Sequence, residues 1–233
     1  MSLLLRSSDS VASQAPHAGQ EAGLLTDDAY RVLKWKILSM ELPPGTWLNE
    51  LGLVKSIGFS RAPIHQALHR LQSDGLVEIR PRKGALVRVW SPEDIEHLIE
   101  ARIPLETAVV RLASARASDA EIAELNERMA QGPTLLKASD REGLVMLDHL
   151  FHQSLARFAR NPVLGELVEN IHHRSMLLWY LPLSGHQEYG QVITQHQSIL
   201  DAIAARDAEA AVRAMTDHLS TFSNSHSSVH SEP

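Results

Sequence analysis

Hydrophobic and polar positions alternate with two different textures along the chain. From residue 27 to about 40, Tyr30, Leu33, Ile37 and Met40 recur at spacings of three and four, which predicts an amphipathic helix with Thr26 as its N-cap. Leu42-Pro43-Pro44-Gly45 stops it. A short second helix is expected over 50–57, closed by Gly58, because glycine takes up the left-handed conformation that ends helices. Ser60 then caps a third helix with Pro63 in its first turn, where a missing N–H costs little. On that helix Ile64, Ala67, Leu68 and Leu71 share one face, and Arg61, His65, His69 and Gln72 share another. Residues 76–79 and 85–89 read as short strands joined by the turn Pro81-Arg82-Lys83-Gly84.

After Ser91-Pro92 the period becomes helical throughout. Helices are expected near 93–117, 119–131, 140–160, 162–180, 188–205 and 207–222, with a capping box at Ser118 and Glu121 and breaks at Asn161-Pro162 and Leu181-Pro182. Residues 1–25 and 223–233 lack such periodicity and are expected to be disordered tails. The expected architecture is mainly α: a winged helix-turn-helix over 26–90, then an all-α bundle of about six helices over 91–222.

Composition narrows the functional classes. The 233 residues are 44% hydrophobic and contain no cysteine, which excludes disulfides, thiolate metal sites and cysteine nucleophiles. No apolar run is long enough to span a bilayer, and the leucines of MSLLLRSSDS are too few for a signal-peptide core. A cytoplasmic protein with no membrane partner is expected. The net charge of −6 is uneven: residues 1–90 carry 11 Lys+Arg against 8 Asp+Glu, whereas 91–233 carry 11 against 20. A basic front and an acidic back suggest that only the front meets a polyanion.

The third helix supplies the chemistry for that meeting. A helix fits the major groove of DNA, where an arginine can donate two hydrogen bonds to guanine. Arg82 and Lys83 at the hairpin tip can reach phosphates, and Gly84 allows close backbone approach. The alternative is an ordinary amphipathic helix with a solvated face; the preceding glycine turn and the basic-tipped hairpin weigh against it. The run Leu42-Pro43-Pro44-Gly45, Leu48-Asn49-Glu50, Gly58-Phe59-Ser60-Arg61-Ala62-Pro63-Ile64, Ala67-Leu68-His69-Arg70-Leu71, Gly75-Leu76-Val77 and the Pro-x-x-Gly wing resembles the GntR family over about 26–90. The resemblance implies that the helix starting at Ser60 and Arg61 reads bases and that the wing glycine approaches the minor groove. His65-Gln66 stands where the family usually has Arg-Glu, so its usual operator is not implied.

In the second region Asp148 and His152 lie four apart on one helix face, and His196 and His218 lie on two later helices. One carboxylate and three imidazoles suit a divalent transition metal. With 13 histidines in the chain, including His149, His172, His173 and His186, surface or hydrogen-bonded core histidines remain an alternative on spacing alone. The residues Glu100-x-Arg102-x-x-Leu105-Glu106, Asp148-x-x-Phe151-His152, Asn161-Pro162, Gln195-His196-x-x-Ile199, Ala202-Ile203, Asp207, Ala210 and His218-Leu219 resemble the FCD ligand-binding domain of FadR-type GntR regulators over about 93–222. That resemblance implies metal ligation by Asp148, His152, His196 and His218, with zinc first and nickel or manganese as alternatives. It also implies a homodimer.

A metal held by one carboxylate and three neutral imidazoles attracts a small carboxylate effector. Arg102 matches a family position near the pocket and could pair with that effector; an intra-bundle salt bridge with a nearby glutamate is its other reading. Arg174 and Asn170 are weaker effector candidates, with a solvated helix face as the alternative. The apolar run from Met176 to Leu181 suits core packing, a pocket wall or a subunit interface. The expected function is that of a metal-containing, organic-acid-responsive repressor that binds an inverted-repeat operator as a homodimer, with no catalytic residues. Two rivals stand beside it. A helical metal-dependent phosphohydrolase would want a His-Asp dipeptide, but Asp148-His149 and Asp217-His218 run the other way. A DNA-binding scaffold with a purely structural metal is the other.

Overall fold

The computed structural model describes the backbone of residues 18–176 and 186–227. Helix α1 (Ala18–Leu38) precedes the short strand β1 (Trp47–Leu48), helices α2 (Glu50–Ile57) and α3 (Arg61–Ser73), and the hairpin β2 (Val77–Arg80) and β3 (Gly84–Val87). Seven helices follow: α4 (Pro92–Arg116), α5 (Asp119–Met129), α6 (Gly132–Lys137), α7 (Arg141–Phe158), α8 (Pro162–Met176), α9 (His186–Ala204) and α10 (Ala208–Ser227). The fold is a winged helix-turn-helix followed by a helical bundle.

The helix ends are closed by local chemistry. Asn49 caps α2 by accepting from the Leu51 amide at 2.9 Å, and Gly58 ends it at φ +77°. Ser118 and Glu121 form the expected capping box on α5, and Ser91 with Asp94 forms another on α4. Ser60 occupies the N-cap of α3 without a side-chain cap bond. Thr26 is no cap, because α1 begins eight residues earlier; the segment AGQEAGLL is rich in helix-forming residues. Residues 18–25 therefore belong to the helix, and the rest of the expected N-terminal tail lies outside the described residues. The same holds at the other end, where α10 runs to Ser227. Of the run beginning at Met176, only Met176 is described, and it is buried.

The wing has a third strand that the sequence reading lacks. Its order is β1-β3-β2, antiparallel, with Leu48 opposite Ala85 and Arg80 opposite Gly84. Two residues are too few to show alternation, so β1 leaves no pattern. Among the described residues the bundle has seven helices, where about six were expected. The extra one, α6, starts at Gly132-Pro133, which reads as a break. Gly132 serves packing instead: a Cβ there would lie 3.1 Å from Ile193 Cγ1 on α9. Helix α4 packs on α7, α8, α9 and α10, and one apolar core including Val109, Phe151, Phe158, Ile199 and Leu219 fills the bundle. A second core joins Leu33, Ile37, Leu68, Leu71 and Val87 of the reading head to Leu144, Val145, Met176 and Val192 of the bundle.

Candidate DNA-reading helix and metal centre

The reading head is set by the amphipathic pattern of α3. Pro63, Ile64, Ala67, Leu68 and Leu71 are buried against α1 and the hairpin, which leaves Arg61, His65, His69 and Gln72 on the exposed face. Glu50, at the start of α2, organises that face. Its carboxylate accepts from Arg61 Nε at 2.8 Å and contacts His65 Nδ1 at 2.7 Å. The His65 and Arg61 contacts hold the Glu50 carboxyl below its usual range. Arg61 spends Nε on Glu50, which leaves its two terminal amino groups outside that bond. The rings of His65 and His69 meet edge to face at 4.6 Å. Arg82 and Lys83 are exposed at the wing tip, where Arg82 has φ +64°. Gly84 has a reason internal to the fold: at φ +99°, a Cβ on it would lie 2.8 Å from Leu48 O.

The bundle brings together residues that are distant in sequence. Asp148 and His152 on α7, His196 on α9 and His218 on α10 each offer one ligand atom, and the atoms lie within 4.8 Å of one another. Asp148 Oδ1 is 3.6 Å from His152 Nε2 and 3.4 Å from His196 Nε2, and His218 Nε2 is 3.4 Å from His152 Nε2. All four side chains are buried. His196 stacks on Phe151 with ring centroids 3.9 Å apart.

Residues 97–221 match the FCD domain, and residues 25–87 match the bacterial regulatory proteins of the gntR family. The chain belongs to the GntR family of transcriptional regulators with an FCD domain. The HTH-type transcriptional repressor RspR of Escherichia coli K12 is 28% identical over 196 residues, covering 84% of this chain and 86% of the relative. The Nta operon transcriptional regulator of Aminobacter aminovorans is 34% identical over 137 residues, 59% of this chain and 65% of the relative. Among solved structures, E. coli McbR/YncC has the same fold, with a TM-score of 0.78 at 22% identity, covering 88% of this chain and 98% of that one. A GntR regulator from Rhodococcus sp. RHA1 gives 0.77 at 25% identity, with the same coverage. These relatives are regulators and not enzymes, and this chain is a DNA-binding transcriptional regulator. None of its described helices is long and apolar enough to cross a membrane.

The regulator's cluster fits a metal on its own geometry. Two donors about 2.1 Å from one ion at a tetrahedral angle lie roughly 3.4 Å apart, which matches the three separations given above, within a set that spans at most 4.8 Å. Two of the three outer nitrogens have polar neighbours. His218 Nδ1 lies 3.1 Å from Gln195 Oε1, and Gln195 Nε2 donates to Thr221 Oγ1 at 2.9 Å. His152 Nδ1 contacts Glu106 Oε2, and Arg102 Nε donates to Glu106 Oε1 at 2.6 Å. These contacts turn both Nε2 atoms inward, as outer hydrogen bonds do for metal-bound imidazoles. His196 Nε2 is buried with no hydrogen-bond partner among the described residues, its line to Asp148 being poorly angled. Burial, then the charge of His152, lowers His218 to about 3, and burial likewise holds His196 well below its usual range. Both are neutral at pH 7, the form that ligates, whereas in His152 burial is outweighed by Glu106 and Asp148, which raise it to about 9, so His152 must give up a proton to join an ion. Burial alone would raise Asp148, but contacts with His152 and His172 hold it low and ionised.

The remaining candidates have the following places. Arg102, 3% exposed, pairs through Nε with Glu106 inside the bundle. Arg174 donates from Nε to the carbonyl of Asp74. Asn170 is half-buried on α8. His172 has a place that sequence spacing did not single out: its Nε2 lies 3.1 Å from Asp148 Oδ2. Glu106 and Glu50 were visible only as motif members, although the four-residue step from Arg102 to Glu106 does put them on one helix face.

Proposed function

We propose that this regulator is a repressor that binds an inverted-repeat operator as a homodimer, holds a divalent transition metal at Asp148, His152, His196 and His218, and changes operator affinity when a small organic acid binds. One observation carries the reading: a buried, convergent set of one carboxylate and three imidazoles in a bundle separate from the reading head. The ion would offer a centre that a carboxylate oxygen can join. Zinc suits such a ligand set first, with nickel or manganese as alternatives.

The cavity beside Asp148 and His196 holds only about 10 Å³, roughly one water. An acid must therefore displace side chains to reach the centre. A cleft of about 730 Å³ between α7 and α8 lies next to it, and His172 both lines that cleft and touches Asp148. We assign the acid's entry to this cleft. Displacement on entry is the differential contact that a population shift between two dimer geometries needs. The tightness of the cavity favours one rival, a purely structural ion, and operator affinity indifferent to every acid would establish it. The deciding experiment is native mass spectrometry of the purified protein, which reads dimer, metal and retained acid together. It is followed by operator titrations with mono- and dicarboxylates. A metal-free monomer would end the proposal.

Two expected outcomes concern the reading head. Arg61→Ala should cost about 1–3 kcal/mol on operator and much less on scrambled DNA, as loss of a bidentate guanine contact does. Equal losses on both duplexes would reassign Arg61 to phosphate. Lys83→Ala should weaken operator and scrambled DNA alike and reduce the log–log salt slope by about one unit. An unchanged slope would remove the wing tip from the interface.

A further inference from the structure

The last turn of α8 holds three consecutive residues with three different partners. His172, 1% exposed, places Nε2 3.1 Å from Asp148 Oδ2. His173 places Nδ1 3.0 Å from Lys34 Nζ on α1. Arg174 donates from Nε to the Asp74 carbonyl at 2.9 Å, at the C-cap of α3. Met176, 1% exposed, is buried in the apolar core shared with the reading head. One hydrogen-bonded turn thus touches the Asp148 cluster at one residue and the end of the recognition helix two residues later.

The contact at Asp74 is a built one. The last carbonyls of a helix lack intrahelical partners and carry partial negative charge, so a guanidinium there satisfies both needs. Gly75 has φ +75°, and a Cβ on it would sit 2.9 Å from Arg174 Cζ and Nε, so any side chain at this position would collide with the guanidinium. Asp74 is held from the α1 side as well. Tyr30 donates its hydroxyl to Asp74 Oδ2, and Lys34 Nζ donates to Tyr30 Oη at 3.1 Å. The contacts of His173 and Arg174 therefore meet at Asp74, closing a ring from α8 through Lys34 and Tyr30 back to α8.

We propose that this turn of α8 couples the Asp148 cluster to the recognition helix, with Arg174 as the positioning residue that sets the C-terminal end of α3. A ligand that joins or leaves Asp148 displaces His172. The helix backbone carries that displacement to Arg174, because a hydrogen-bonded turn moves as a unit. The inference rests on the reading of Asp148 as a metal ligand.

The test is amide hydrogen exchange over residues 73–77 in the full chain, with zinc and after chelation, and with zinc per subunit measured on the same samples. Wild type, Asp148→Asn, Arg174→Ala and the double variant form the cycle. Asp148→Asn and chelation should each speed exchange over 73–77 by about tenfold in the wild-type background. Neither should speed it further once Arg174 is alanine. Arg174→Lys, which keeps a donor for the Asp74 carbonyl, should restore part of the response. If Asp148→Asn fails to fold, His172→Gln perturbs the same contact and completes the cycle. Additive effects of the two substitutions would overturn the proposal, because a merely structural Arg174 contact would leave the response intact. Absence of bound zinc would end the metal reading alone; the Asp148→Asn cycle still decides the coupling.

Discussion

Glu106→Ala is expected to destabilise the regulator by about 3–5 kcal/mol, the cost of leaving a buried charge without its partner. Glu106 is 1% exposed and lies between the Arg102 guanidinium, also buried, and the His152 ring. Its carboxyl sits far below the usual range: burial opposes that, but the charges of Arg102 and His152 outweigh burial. Removing it strands Arg102 and frees His152 Nδ1 from the contact that orients the ring. At about 2–4 °C per kcal/mol for a chain of this size, the melting point should fall by roughly 6–20 °C. The double variant Arg102→Met, Glu106→Leu removes both charges and should recover much of the loss, because the attraction of a buried pair barely exceeds its desolvation cost. Metal affinity should not recover with it. Losing the outer partner of a ligating histidine costs about 10–100-fold. Thermal melts of chelated samples, with metal titrations beside them, separate the two effects. A double variant as unstable as Glu106→Ala would contradict the buried-charge account.

What could be read in the sequence was whatever local spacing encodes. The exposed face of α3 follows from the three- and four-residue steps between Ile64, Ala67, Leu68 and Leu71, and the structure buries all four. Gly58 and the Ser118–Glu121 box mark helix ends because their chemistry lies within one turn. Of the metal ligands, only the pair Asp148 and His152 has such a local signal. His196 and His218 came from family motifs, because the contacts that assemble them cross the bundle. Long-range partners were out of reach for the same reason. Nothing near His172 in sequence points to Asp148, 24 residues away, and nothing near Arg174 points to Asp74, 100 residues away. Short elements failed differently: β1 has too few residues for a period, and Gly132-Pro133 reads as a stop where it starts a helix packed tightly on Ile193.

His196→Ala should abolish metal binding and any effector response, yet leave operator binding within a few-fold of wild type. The expectation rests on where His196 sits. Its imidazole is 1% exposed, neutral, and stacked on Phe151, with Nε2 3.4 Å from Asp148 Oδ1. Loss of one ligand from four should lower metal affinity by at least about 100-fold, more than the loss of an outer contact. Chelation gives the discriminating measurement. A metal present at about 1,000 times its Kd stabilises the folded state by roughly 4 kcal/mol, worth about 8–16 °C in this size range. Wild type should lose that increment when chelator is added. His196→Ala should melt lower to begin with, partly from the cavity that the missing ring leaves, and chelator should then change nothing. The reading helix rests on a core of Leu33, Ile37, Ile64 and Leu71 that is shared with Leu144, Met176 and Val192 but not with His196, so DNA binding does not depend on the imidazole itself. A variant that still melts lower with chelator retains its ion, and the ligand set would then have to be redrawn without His196.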